Sequence, residues 1–280
     1  MKKWNLIVDV AECHNCNNCV ISCTDEYVGN DIPGYSAPQP LHGHKWIDIT
    51  TLERGEFPRV DVTYVPTMCN HCDDAPCVAA GKGAVTKRDD GIVIIDPQKA
   101  RGRKDIVDAC PYGAIWWNDD LDLPQAWTFD AHLLDRGWKH PRCVQSCPTQ
   151  ALKSLKVTDA EMAAMIAEED LRPLRPDLAT KPRVHYKNLH RFDTVFVAGE
   201  VLATANGVTD CVAEALVTLS SKGQQLASTH TCGFGEFTLD GLPPLTGDCD
   251  LTITLAGYEP KTINIALQDT SIVIEPVVLS

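Results

Sequence analysis

Cys13, Cys16, Cys19 and Cys23 stand in the spacing Cys-x2-Cys-x2-Cys-x3-Cys, and the chemistry that spacing serves is iron–sulfur. Two-residue gaps let three thiolates of one loop reach one cubane cluster, while the longer gap carries the fourth to a neighbouring cluster. Zinc sites close on four local ligands at other spacings, so structural zinc is the weaker reading. A second run, Cys69-x2-Cys72-x4-Cys77, ends where the next ligand of a ferredoxin-like run would fall on Gly81. Cys110-Pro111 has the form that closes such a run, yet its upstream partners fall on Ala100, Arg103 and Ile106, none of which binds iron. Cys143-x3-Cys147-Pro148 closes in the same way, with Trp127 and Asp130 where an upstream cysteine pair is expected.

The crossed-ligand rule sorts these residues. Cys69, Cys72 and Cys77 lack a fourth ligand and Cys110 lacks a cluster; together they make one complete set. Cys13, Cys16 and Cys19 are completed by Cys147. Two [4Fe-4S] clusters are therefore expected. Gly81, Ala100, Arg103 and Ile106 would have served another cluster, and that one is absent. The remaining position combines Cys23 and Cys143 with Trp127 and Asp130. Three readings compete for it: a third cluster, [3Fe-4S] or [4Fe-4S], with Asp130 as an oxygen ligand; an empty site with two free thiols; or a disulfide or other metal. His44, His71 and His132 lie near the cysteine blocks, and histidine replaces thiolate in some clusters. For His71, set between two cysteines, donating a hydrogen bond is the simpler expectation.

The four-block layout, with Asn70-His71-Cys72-Asp73-Asp74-Ala75-Pro76-Cys77 and Cys110-Pro111-Tyr112-Gly113-Ala114, resembles the iron–sulfur subunits of the molybdopterin (dimethyl sulfoxide reductase) superfamily. Within it, the chain is most similar to the small-subunit family of pyrogallol–phloroglucinol transhydroxylase and resorcinol hydroxylase. The residues that carry this closer likeness include Pro33-Gly34-Tyr35, Gly43-His44-Lys45-Trp46, Gly81-Lys82-Gly83-Ala84-Val85, Ala131-His132-Leu133-Leu134-Asp135 and Lys181-Pro182-Arg183-Val184. The likeness implies a large catalytic partner holding molybdopterin with molybdenum or tungsten, and a phenolic substrate for that partner. It also implies that the Cys23/Cys143 position lies between the two complete clusters. Trp127 and Asp130 depart from the wider superfamily, whose subunits typically carry cysteine there.

The formal net charge of −13 disfavours nucleic-acid binding. No apolar run approaches the roughly 18 residues that span a bilayer. The opening Met1-Lys2-Lys3-Trp4-Asn5-Leu6-Ile7-Val8 reads as a strand rather than a signal peptide. A cytoplasmic home is expected, and iron-bound thiolates suit a reducing compartment.

The expected fold class is α+β. Residues 1–157 form a duplicated bacterial-ferredoxin-like cluster domain, since Cys147-Pro148 mirrors Cys110-Pro111. Within it, Thr86-Lys87-Arg88-Asp89-Asp90-Gly91 reads as a hairpin connection with an Asp-Gly turn. Residues 158–194 form a helix, with Thr158 and Glu161 as a capping box, and an extended linker or strap lying on the partner or the cluster domain. Residues 195–280 carry short alternating runs that argue for a β-sandwich; they resemble transthyretin-like or carboxypeptidase-regulatory-like domains. Cys211, Cys232 and Cys249 there read as buried thiols.

No nucleophile–base pair, phosphate loop or substrate-pocket signature occurs, so no catalytic site is expected on this chain. The expected function is a non-catalytic iron–sulfur electron-transfer subunit of a molybdopterin enzyme acting on phenols, a transhydroxylase or hydroxylase. Two alternatives stand: the corresponding subunit of another molybdopterin reductase such as an aromatic dehydroxylase, and a structural or assembly subunit with vestigial clusters. A heterodimer is expected, and its association into a higher oligomer is open.

Overall fold

Trp4-Asn5-Leu6-Ile7-Val8 is covered on both faces, and this decides the first sheet. Leu6 and Val8 are fully buried on one side, Asn5 and Ile7 on the other. The strand Lys3–Asp9 accordingly lies in the middle, antiparallel to Leu152–Val157 and parallel to Val184–Lys187. Ile7 packs on Met162 and Leu171, which brings the helix Asp159–Glu168 onto the sheet. That helix begins with the expected capping box: Thr158 Oγ1 accepts from Glu161 N–H, and the Glu161 carboxylate accepts from Thr158 N–H.

The computed structural model describes all 280 residues, Met1–Ser280, and is mostly β with few helices. It divides into two units, Met1–Thr51 with Tyr64–Leu189, and Leu52–Thr63 with His190–Ser280. The segment expected as a separate helix and strap over 158–194 thus belongs, up to Leu189, to the first unit. Its backbone is used throughout: Asp73 N–H donates to Lys181 O, Asp74 N–H to Thr180 O, and Arg183 N–H to Asn70 O. A run of four residues, Val-His-Tyr-Lys, is too short for its alternation to announce it as a sheet strand.

The rest of the first unit is loops, small hairpins and short helices, the longest of them Asn18–Tyr27, as suits a chain organised by something other than a large apolar core. The strands Val85–Lys87 and Val93–Ile95 pair antiparallel. Their connection turns at Gly91, whose φ of +89° suits glycine and whose added Cβ would stand 3.1 Å from Lys3 Cβ. Two one-turn helices, Asp105–Asp108 and Arg142–Gln145, each stand just before a Cys-Pro block.

In the second unit, Val195–Ala205 is the central strand of one sheet. Val208–Cys211 and Glu236–Leu242 flank it antiparallel, and Ile272–Val273 and Val277–Leu279 pair with it in parallel. A four-stranded antiparallel sheet runs Gln224–His230, Leu216–Ser221, Gly247–Thr254, Lys261–Leu267. Alternate residues of both sheets, including Val197, Val201, Val217, Leu219, Phe237, Leu251 and Ile253, share one buried core. This is a β-sandwich arrangement. All three of its cysteines are free, but only Cys249 is buried; Cys211 is half-buried and Cys232 is exposed. The reading of all three as buried thiols is corrected accordingly: Cys232 lies where the chain leaves a strand for a turn, outside the alternation that buries Cys249.

Candidate iron–sulfur centres

The first cysteine run winds into the helix Asn18–Tyr27. Asn15 and Asn17 hold left-handed φ values of +55° and +60°, a conformation asparagine tolerates better than most residues. The resulting coil presents Cys13, Cys16 and Cys19 to a common space, and Cys147 joins them from beyond the helix Arg142–Gln145. Burial pushes the Cys19 thiol up to about 12, and Cys13, Cys147 and Cys16 add to the rise. Cys13 is raised by burial and by Cys147 and Cys16, with Asn15 N–H pulling the other way. The four cysteines, with Ile49, Pro66, Ala151 and Leu152, line one small pocket.

Cys69, Cys72 and Cys77 are likewise gathered with Cys110. Burial raises Cys69 far above the usual thiol value, with contributions from Cys110, Cys77 and Cys72. Cys77 is pushed up to about 11 by burial and by Cys110 and Cys72. Amide groups oppose these rises: His71 N–H at Cys69 and Val78 N–H at Cys77. Thr180 supplies a hydroxyl to Cys72 and is itself bonded to Tyr112 Oη at 2.8 Å.

Within the quartets, Cys13, Cys19, Cys69, Cys72 and Cys77 therefore stand where burial opposes their ionisation. Bound iron would relieve that conflict by taking the four thiolate charges, and the inward N–H and O–H groups would then bond to sulfur. No three His, Cys, Asp or Glu side chains converge at single-ion distance anywhere in the chain. It is the all-cysteine spacing of the quartets that suits polynuclear clusters better than zinc.

The absent cluster's position is packed shut. Ala100 and Ile106 are fully buried in an apolar core with Ala84, Val85, Val93 and Ile95. An added Cβ at Gly81 would stand 2.6 Å from Val85 Cγ2. Arg103 donates to Ala80 O at 2.7 Å and to Gly81 O at 3.3 Å, capping the helix Pro76–Gly81.

At the middle position, Cys23 and Cys143 meet Asp130, and all three are buried. Asp130 Oδ1 accepts from Tyr27 Oη at 2.7 Å and Trp127 Nε1 at 3.1 Å; Oδ2 accepts from Arg142 N–H at 2.7 Å. Tyr27 Oη spends its proton on Asp130, so it accepts from Thr128 Oγ1 at 2.7 Å. Trp127 is fully buried and stacks on Phe129 at 4.8 Å. Burial raises the Asp130 carboxyl despite its three donors. Burial also raises both thiols, and Asp130 adds to each. The position adjoins both quartets: Cys19 perturbs Cys23, and His71 lies 5.6 Å from the Trp127 ring.

The histidines have other duties. His44 Nε2 donates to Trp117 O at 2.9 Å, and His132 Nε2 lies 2.8 Å from Glu26 Oε1. His71, expected as a donor, instead accepts at Nδ1 from Val93 N–H at 3.1 Å, because its buried ring faces that strand amide. Tyr27, Lys87 and Thr180 all touch the cysteine sites and carry no motif that would single them out.

Residues 60–156 match the 4Fe-4S dicluster domain family. Together with the cysteine quartets, this defines an iron–sulfur protein of the [4Fe-4S] class. The chain is 46% identical over 245 residues to the pyrogallol hydroxytransferase small subunit of Pelobacter acidigallici, covering 86% of this chain and 88% of that one. It belongs to that small-subunit family. More distant relatives include a subunit of the tetrathionate reductase of Salmonella typhimurium, 30% identical over 70% of this chain and 75% of that one. The arsenate respiratory reductase iron-sulfur subunit ArrB of a Shewanella strain is 28% identical over 66% of this chain and 95% of that one. No helix is long and apolar enough to cross a membrane.

Proposed function

We propose that this chain is the non-catalytic iron–sulfur subunit of a molybdopterin enzyme that moves hydroxyl groups on phenolic rings. Cys13, Cys16, Cys19 and Cys147 would hold one [4Fe-4S] cluster, and Cys69, Cys72, Cys77 and Cys110 a second. When bound, each supplies a one-electron site. A large subunit with molybdenum or tungsten on molybdopterin carries the organic chemistry, and a cytoplasmic heterodimer is the simplest assembly. The activity for which the Pelobacter relative is named supports the substrate class, and its high coverage supports the subunit role. We read the first unit as a duplicated ferredoxin-like domain, in keeping with its two Cys-Pro blocks behind one-turn helices. The second unit we read as a transthyretin-like domain for docking or stability.

The observation that carries the reading is the middle position. Asp130 has its oxygens turned to Tyr27, Trp127 and Arg142, and the buried Trp127 lies against Phe129 and His71. We take this position as closed, with Cys23 and Cys143 as free thiols and Asp130 as a hydrogen-bond hub. Electron transfer between the two remaining clusters then has a long gap to cross, and tunnelling falls steeply with distance. Transhydroxylation exchanges hydroxyl groups with no net redox change and tolerates that gap; net hydroxylation or dehydroxylation needs electrons to pass it. The test is EPR on the anaerobic complex, poised with its clusters oxidised and mixed with phenolic substrate. We expect both clusters to keep their oxidation state through many turnovers. Substrate-dependent reduction of both at the turnover rate would instead favour a hydroxylase or a dehydroxylase-type subunit.

A further inference from the structure

Lys87 does more than close a hairpin. Its side chain is 21% exposed. Nζ donates to His71 O at 2.6 Å, Cys72 O at 3.0 Å and Gly91 O at 2.7 Å, and it pairs with Asp73 Oδ1 at 2.9 Å. Two of these carbonyls belong to the loop that carries Cys69 and Cys72. Drawn toward Lys87, the His71 carbonyl turns the other end of its peptide, the Cys72 N–H, onto the Cys72 sulfur. The ammonium thus fixes the loop's amide directions and places a positive charge beside the sulfur at once.

Its surroundings do not cancel that charge. Asp73 pairs with Lys87, Arg183 and Lys3, and Asp159 pairs with Arg183 at 2.8 Å and Lys3 at 2.9 Å. Three cations meet two carboxylates, which leaves the island net positive. A cubane held by four thiolates is anionic and becomes more so when it takes an electron. A positive charge close by, in a poorly screened place, favours the reduced form.

We propose that Lys87 is a positioning residue for the second quartet that raises the midpoint potential of the cluster held by Cys69, Cys72, Cys77 and Cys110. This rests on the ligand assignment made under the proposed function. The test is EPR-monitored potentiometry of the anaerobic complex, with iron counted in each variant. The second-quartet signal is identified as the one lost in Cys77→Ser. Lys87→Met should shift its midpoint to more negative potential, and Lys87→Arg, which keeps the charge, should hold it close to the wild-type value. Asp73→Asn keeps the Lys87–carbonyl bonds but removes a neutralising carboxylate, and should shift the midpoint the other way. The first-quartet signal should stay in place throughout. A second-quartet midpoint that moves in neither Lys87→Met nor Asp73→Asn, at full iron content, would overturn the proposal. So would a shift in the same direction in both. If Lys87→Met loses iron, the sign in Asp73→Asn decides. A wild-type complex in which Cys77→Ser removes no signal would refute the ligand assignment instead.

Discussion

Replacing both Trp127 and Asp130 by cysteine is expected to add a cluster, raising the iron content of each chain by about four. The two positions stand with Cys23 and Cys143, whose thiols are already buried beside them. Trp127 is the obstacle: its fully buried indole fills the position and stacks on Phe129. Removing so large a buried side chain ordinarily costs about 3–5 kcal/mol through lost contacts and an unfilled cavity. Here an assembled cluster would fill the space and supply new bonds to four cysteines. The control is Asp130→Ala. It removes the shared acceptor of Tyr27 Oη, Trp127 Nε1 and Arg142 N–H. Each buried donor left unpaired costs about 1–3 kcal/mol, so the melting temperature should fall while iron stays constant. Were Asp130 a cluster ligand, Asp130→Ala would lose iron. A double variant that folds and binds no extra iron would show that the position is not a latent cluster site.

Cys110→Ser should have the opposite effect and a larger one on folding. Cys110, Cys69 and Cys77 pack directly on the core of Ala84, Val85, Val93, Ile95, Ala100, Ile106, Ile115 and Ala126. Under the proposed ligand assignment, a cluster here would cross-link residues far apart in sequence, and folding of the region would depend on it. The variant should lose about four iron per chain, and its first unit should become sensitive to proteolysis under anaerobic conditions. Cys143→Ala should keep all its iron, because in the closed reading Cys143 is a packed thiol rather than a ligand. Equal iron loss in Cys110→Ser and Cys143→Ala would mean that both thiols bind clusters.

Much of the site is legible from spacing. Thiolate geometry leaves few arrangements for a given gap pattern, so Cys147 can be assigned to Cys13, Cys16 and Cys19 across more than a hundred residues. The structure gathers these four, and gathers Cys110 with Cys69, Cys72 and Cys77. The strand at Trp4–Val8, the Thr158–Glu161 capping box and the alternating runs of the sandwich are legible for a similar reason: each follows a short-range rule. What escapes such rules depends on distant partners. Val184–Lys187 joins the first sheet through Lys3–Asp9, and the hairpin segment Leu52–Thr63 falls within the second unit. Inside that unit, Arg54 binds Asp61 and Asp240 and stands over Phe196 at 5.4 Å, a set no local pattern announces. Tyr27 and Lys87 escape likewise, because neither residue type nor spacing marks a tyrosine aimed at Asp130 or a lysine aimed at carbonyls. Trp127 and Asp130 are visible as departures from a cysteine pattern. Only the packing reveals that they complete a hydrogen-bonded network.

The most direct measurement is iron and acid-labile sulfide per chain, with EPR, on the anaerobically purified complex, corrected for any cluster in the partner. Two cubanes and a closed middle position predict about eight of each, with no three-iron signal in the oxidised state. Values near eleven or twelve, with an oxidised three-iron signal or a third cubane signal, would contradict the closed position and restore a continuous electron path through it.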